Sequence, residues 1–534
     1  MPDFIHCFYF SYYYSDYFLL NLLFCFAFFI FLLNRTLHGN ESDIATKLKT
    51  SPLNYVGTGG TIGTGLLLAS GGAVHSGGPG GAILGYLLVA VIVLFVMTSL
   101  GELTAFSPTT GSFCDDAARY VDPSFGFAMS WNYWLNWVFV VASEVIAAGL
   151  VMQFWFPHVD VWIWSALFFL LILAINLVAV KLYGEVEYWI AFIKVAAVII
   201  FITVGTLMVF GLVGSQGSVG FDNITLGDAP FHHGLFGFFS VFLIAGYSFQ
   251  GVELMGVAAG EADEPKKTIP KAVKTVFWRI VLFYILAIVV ISFLIPYTDS
   301  NLVNAHSSVA SSPFTIVFEN AGIKFAASLM NLVVITAILS AANASMYTAS
   351  RMLWHMGKAK EASGSFQRVN KYGVPVIGVI VTALISVVLI LASTYHGGLI
   401  FSWLVNMVSY AGYIAWFGIC LSHYRFRRAY LLQGKDLNQL PYRSRWFPFA
   451  PITAMVLIIA ILIGQEVMDI INNEASFSGF IINYCGIVLF LILVITHKFI
   501  KKNKLIPLNN IELTEESVVE RSADTSGYSE LKLN

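Results

Sequence analysis

GTGGTIGTG (Gly57–Gly65) holds five glycines in nine residues and opens a long apolar run. Each glycine inside a helix costs about 1 kcal/mol relative to alanine. In hydrocarbon, backbone groups freed by a break also find no water to pair with. A helix that had only to cross a bilayer gains nothing from such a stretch. Close packing of small residues, at the Gly59–Gly63 spacing, is the plainer explanation for one such stretch. It explains less well a second one of the same kind, GYSFQG (Gly246–Gly251), inside another apolar run near 235–259.

The whole chain is apolar. Its 534 residues are 57% hydrophobic and 11% charged, with a mean hydropathy of +0.76. Soluble domains carry about 25% charged residues. The runs are apolar on all sides, as in AILGYLLVAVIVLFVMTSL (82–100). At about 20 residues per crossing, twelve candidate spans fit between Asn54 and Ile500. No alternation in barrel-like pieces is visible. The expected fold class is an all-α integral membrane protein.

The formal net charge of −2 gives no case for a nucleic-acid partner. Its distribution says more. If the spans alternate from a start on the inner side, every second loop carries the lysines and arginines, with clusters at 266–279, 351–371 and 425–445. The opposite loops, at 74–78, 156–160, 214–234, 297–314, 394–399 and 469–476, contain none. This split follows the positive-inside rule and puts both ends of the twelve-span unit in the cytoplasm. The five cysteines (7, 25, 114, 420, 485) are scattered, and no histidine pair has ligand spacing inside a span. Neither a disulfide framework nor a metal site is expected. No cofactor is expected either.

The chain divides at composition shifts. Residues 1–53 form an N-terminal segment with an apolar run at 18–33, FLLNLLFCFAFFIFLL, then a polar lead-in. It lacks the basic start and small-residue cleavage site of a signal peptide. Three readings stand: a start foreign to the working chain, an extra helix with its N-terminus outside, or an interfacial segment. Residues 54–424 form the expected core, and 425–500 a loop and two further helices. The tail 501–534 is expected to be a disordered cytoplasmic segment.

Two discontinuous helices at matching places in two halves of a transporter point to its binding site. Counted along the chain, the interruptions fall in spans 1 and 6. A break presents N–H groups at one half-helix end, which suit a carboxylate, and carbonyls at the other, which suit an ammonium. The implied ligand is a zwitterion. Ionisable residues inside spans are functional hypotheses by default. Four stand out: Glu102 at the end of span 2, Glu144 deep in span 3, Lys194 in span 5 and Glu253 after the second break. Glu144 shares a helical face with Tyr133, Trp137 and Val140, and reads either as a substrate or proton group or as a structural hydrogen-bond partner. Lys194 reads either as a proton carrier or as half of a fixed ion pair.

Several stretches resemble one family. GGTIGTGL (59–66), SGGPGGAILGY (76–86), MTSLGEL (97–103), GFAMSWNYWLNW (126–137), YSFQGVELMGVAAGEADEPKKTIPKAV (247–273) and SHYRFRRAYLLQGKDLNQLPYRS (422–444) are similar to the amino-acid permeases of the amino acid–polyamine–organocation superfamily. Within it the chain resembles the bacterial lysine-specific permease branch, with IPYTD (295–299) adding to the likeness. The resemblance runs from about 54 to 500. It implies a LeuT-like 5+5 inverted repeat with two appended helices, alternating access, proton-driven uptake of lysine and residence in the inner membrane.

Carried onto matching positions, the resemblance sets the substrate carboxylate against Thr61, Ile62, Gly63, Thr64 and Gly65. It sets the α-ammonium against carbonyls from Phe242 to Ala245, with Tyr247 as the aromatic cap. Lys194 matches a lysine that stands where sodium-dependent relatives bind their ion, so proton coupling without sodium is implied. Glu102 is a further candidate for the proton. Glu144 and Glu253 are the carboxylates available to a lysine side chain. The lead-in SPLNYVGT (51–58) departs from the family pattern. Competing readings are a permease for arginine, GABA or an aromatic amino acid, and a lysine-binding sensor with little flux. An intramembrane enzyme has no suitable nucleophile and base, and no pore-loop repeat argues for a channel.

Overall fold

The computed structural model describes residues 62–109, 111–178, 180–214, 220–258, 265–303, 312–370, 373–394, 397–471 and 477–513. Among them there are helices and connections and no strand. The N-terminal segment 1–53, Thr61 and the end of the tail, 514–534, lie outside the described residues.

A π-helical turn, Gly65–Ala69, leads into α1 (Ser70–Phe106), followed by α2 (Ser112–Tyr120), α3 (Pro123–Met152), α4 (Val161–Val178) and α5 (Val180–Val209). Then come α6 (Gly234–Phe249), α7 (Leu254–Ala258), α8 (Pro265–Leu294), α9 (Ser300–Val303) and α10 (Pro313–Asn320). The remainder are α11 (Lys324–Lys358), α12 (Val376–Ala392), α13 (Gly397–Leu432), α14 (Phe449–Ile471) and α15 (Phe477–Lys501). Among the described residues, eight helices are long and apolar enough to cross a membrane, and three shorter apolar ones accompany them. Homogeneous apolar composition makes these helices; packing, not amphipathicity, decides which faces turn inward.

The longest of the eight, Gly65–Phe106, is two helices in one run. Gly78 takes φ 71° and Pro79 follows it, so the chain turns a corner there. The left-handed conformation suits glycine, and proline supplies no N–H to continue the ladder. A Cβ at Gly78 would stand 2.7 Å from backbone atoms of Pro230 and His232. The Pro230 carbonyl accepts from the N–H groups of Gly80 and Gly81 at 2.8 and 3.2 Å. The loop before α6 thus seals this corner. Nearby, hydrogen bonds from Tyr297 and His232 hold the Asp228 carboxyl down at about 2.

Two packing groups emerge. α1 packs on the π-helical turn, α6 and α8, and the turn packs on α6; α3 packs on α4, α11, α12 and α13. The interrupted helices belong to the first group and touch the second. At the end that carries the basic loops, α2 lies between α3 and α13. There Asp115 is 2.9 Å from His355, and burial pushes Asp116 up to about 8. Burial, helped by Asp115, also raises Glu361 to about 7.

Over residues 501–513 the tail departs from the expectation of disorder. As far as Leu513 it runs as a strap across the basic end. The Ile506 N–H donates to Val121 at 3.1 Å, and Gln433 donates to the Ile511 carbonyl at 2.8 Å. Arg425 donates to the carbonyls of both Tyr120 and Ile506. Ile511 and Leu513 bury their side chains among Leu103, Phe106, Tyr120, Phe426 and Tyr430. Those three hydrophobic residues, at 506, 511 and 513, are what a composition-level reading of an acidic tail overlooks.

Candidate functional site

The two interrupted helices meet. A Cβ on Gly65 would run into the backbone of Ser248, so glycine is what lets the start of the first helix lie against the end of α6. α6 continues unbroken to Phe249; Gln250 then leaves the helix, Gly251 takes φ 97°, and α7 begins at Leu254. Open backbone therefore lies at 250–253, one turn or more beyond Phe242 and Ala245. Those two residues sit within regular helix, where carbonyls accept from the N–H four residues on. The Phe242 carbonyl also accepts from Tyr413 at 2.7 Å. The expectation that Phe242–Ala245 offers free carbonyls is corrected on this point.

Glu144 reaches from the middle of α3 to the start of the first helix. Its carboxylate oxygens accept the Thr64 N–H at 3.2 and 3.3 Å, and Thr64 Oγ1 donates to one of them at 2.6 Å. Tyr247 donates from 3.5 Å, and its hydroxyl is 3.0 Å from Ser143. A Cβ at Gly63 would stand 2.8 Å from Glu144 Oε1. Gly63 is thus a glycine because a carboxylate comes close to its backbone. A cavity opens beside this contact, lined by Gly63, Gly65, Trp137, Val140, Glu144, Tyr247, Gln250 and Ala341. The Gln250 Oε1 acceptor is buried and has no hydrogen-bond partner among the described residues.

Of the expected site residues, Gly63, Gly65, Glu144 and Tyr247 come together on the cavity wall, and Thr64 binds Glu144 beside it. Ile62 is buried next to them. Lys194 is buried on α5, donates to Ser340 on α11 at 2.9 Å, and acts electrostatically on Glu144.

Two carboxylates are elsewhere. Glu253 does not line the cavity. It accepts from Tyr133 at 3.3 Å, Gln250 at 3.1 Å, the Gly251 N–H at 3.2 Å and Trp416 at 3.1 Å. Glu102 lies at the basic end. Arg427 grips both its oxygens in a fork, and the Ser444 N–H donates at 2.7 Å. Such two-point pairs are strong and geometrically fixed.

Sequence reading passed over Ala341, whose lone signal is its small size in a helix of small residues. Gln250 was visible in the second break but carried no charge to single it out. Ser340 has no sequence signal at all.

The amino acid permease family model matches residues 55–509. The chain belongs to this family. The lysine-specific permease LysP of Escherichia coli strain K12 is 46% identical over 456 residues, covering 85% of this chain and 93% of the relative. LysP of Lactococcus lactis subsp. cremoris is 44% identical, over 89% of this chain and 94% of its own. The histidine permease HisP of the same Lactococcus strain is also 44% identical, over 89% and 99%. This is therefore a multi-pass membrane permease of the amino acid–polyamine–organocation superfamily, and the reading of the motifs as a permease rather than an enzyme agrees with its relatives.

Proposed function

We propose that this permease is a proton-coupled importer of amino acids, lysine first, working by alternating access across the inner membrane. The observation that carries the amino-acid reading is that Thr64 already holds a carboxylate. Its N–H and hydroxyl converge on the two oxygens of Glu144 beside a cavity. A donor pair that fits one carboxylate fits the α-carboxylate of a substrate, and a helix start favours negative charge. Ile62, Gly63 and Gly65 complete the cradle, with Tyr247 closing over it. Gln250 also lines the cavity, and its buried Oε1, beside Gly412 and without a hydrogen-bond partner among the described residues, is the acceptor assigned to an ammonium group.

A twelve-helix body with a 5+5 inverted repeat fits the helix order. The eight long and three short apolar helices include one run that divides at Gly78. The basic loops place both ends of the core in the cytoplasm. Proton coupling is assigned to the Lys194–Glu144 neighbourhood. Glu102, held by Arg427, serves better as a lock between α1 and α13 than as a proton carrier. Histidine is the second substrate reading, because HisP is as similar to this chain as the Lactococcus LysP.

The test is uptake of labelled lysine into liposomes holding the purified protein, with and without an inward proton gradient. Accumulation driven by the gradient and blocked mainly by unlabelled lysine supports the whole reading. Uptake blocked by histidine in preference to lysine moves the substrate. Binding without uptake replaces the transporter by a sensor.

A further inference from the structure

The carboxylate of Glu144 and that of an incoming amino acid need the same partners. Thr64 gives Glu144 both its N–H and its hydroxyl, and these are the groups that the proposed cradle offers a substrate. Gly63 leaves no slack between them, since even a Cβ there would come within 2.8 Å of Glu144 Oε1. Two carboxylates on one pair of donors cannot both remain ionised at low cost; one of them takes a proton.

The geometry points to Glu144 as a built-in stand-in for the substrate carboxylate: the amino acid displaces it from Thr64, and the displaced carboxylate takes up the co-transported proton. This rests on the amino-acid reading above and deepens it. The groups acting on Glu144 are Thr64 at the start of the first helix and Tyr247 on α6, which donate to it, and Lys194 on α5, with Tyr284 on α8 also within electrostatic reach. Lys194 is the cation among them. Before the exchange it faces an ionised Glu144; afterwards it faces an ionised substrate carboxylate and a neutral Glu144. One carboxylate charge faces Lys194 before and after the exchange, and the one proton brought in per amino acid sits on Glu144. Release on the far side reverses both steps. Glu253 does not serve in this way, because its four donors are its own neighbours in the fold and it does not line this cavity.

The experiment measures protons taken up when the purified full chain, in weakly buffered detergent solution with a pH indicator, is saturated with lysine. Lysinamide, which has no carboxylate, is titrated in parallel. Unmodified protein is expected to take up on the order of one proton per lysine bound and close to none with lysinamide. Glu144→Gln, whose side chain still accepts from Thr64 but cannot take the proton, is expected to lose the uptake while lysine binding remains measurable at an altered affinity. Equal proton uptake in Glu144→Gln and unmodified protein overturns the stand-in and moves the proton to Lys194. If that variant does not fold, the ligand pair decides on the unmodified protein: equal uptake with lysine and lysinamide also overturns it. Binding of histidine but not lysine leaves the stand-in open to the same measurement with histidine and its amide, and discards only the lysine assignment. Absence of binding for both amino acids overturns the functional reading and the stand-in together.

Discussion

Each of the two breaks has a buried glutamate beside it, and the two are built for opposite purposes. Glu253, at the break after α6, is surrounded by four donors from α3, α13 and its own turn. Glu144, at the start of the first helix, shares Thr64 and a distant Tyr247 and turns one side to the cavity. Residue type and depth are the same. What differs is where the partners stand and what lies beside them: the four donors of Glu253 come from three elements, whereas Glu144 takes two of its three donor groups from Thr64 and lines the cavity. A carboxylate clamped from three elements fixes the backbone of a break, whereas one held mainly by a single residue on a cavity can exchange partners.

The strongest way to break this comparison is Glu253→Ala. It would orphan several buried donors at about 1–3 kcal/mol each, so the largest effect is on folding: a collapse of melting temperature and of recovered protein in detergent. If Glu253→Ala melts like the unmodified chain, the clamp assignment is wrong. Next in size is Gly63→Ala. The added methyl meets Glu144 Oε1 and the Ala341 methyl. Lysine uptake is expected to fall at least about tenfold, equivalent to roughly 1.4 kcal/mol, with far less loss of thermal stability than Glu253→Ala. Lys194→Ala comes third: it should remove accumulation against a gradient while leaving part of the lysine–lysine exchange, measured by counterflow. Full accumulation in that variant would take Lys194 out of the coupling.

The smallest effect concerns a region away from both breaks. Asp116 and Glu361 are raised by burial to about 8 and about 7. Between the ordinary carboxylate range and those values, the folded chain keeps protons that an unfolded chain has lost. Stability therefore falls as pH rises through that window. Melting followed from pH 5 to 8.5 should show a decline of a few degrees, and Asp116→Asn should flatten it. A melting temperature that rises over this range would contradict the burial of both groups.

Much of this was legible in the sequence, and the exceptions are instructive. Apolar runs of membrane length and clustered glycines pointed to the described spans and to the second break, while most of the first glycine stretch, 57–61, lies outside the described residues. Gly63, Thr64, Gly65, Glu144 and Tyr247 were all picked out in advance, because glycine density and a charge within a span are local signals. The second break reads at Gly246–Gly251 in the sequence, but the resemblance sets the free carbonyls at Phe242–Ala245, a turn or more before the open backbone at 250–253. Nothing in FLIAGYSFQG says where α6 stops, since a helix end depends on what its last turn can pack against, here Tyr413 beside Gly246 and Gly65 beside Ser248. The pairing of Glu102 with Arg427 was equally hidden: 325 positions separate them, and no periodicity links one helix end to a distant one. Ala341 and Ser340 acquire meaning only once α11 is laid beside α3 and α5.

The strap at 503–513 gives the chain a mechanical connection between its last residues and its moving parts. It rests on Leu103 and Phe106 at the end of α1 and is gripped by Arg425 and Gln433 on and just beyond α13. Any cycle that shifts α1 against α13 must stretch, slide or lift that strap. Under the proposed alternating access, residues 503–513 would act as a tether whose docking strength tunes how readily the basic end opens. A protease site placed after Lys502 would make its release visible: cleavage faster in the presence of substrate would show that turnover pulls the tether free.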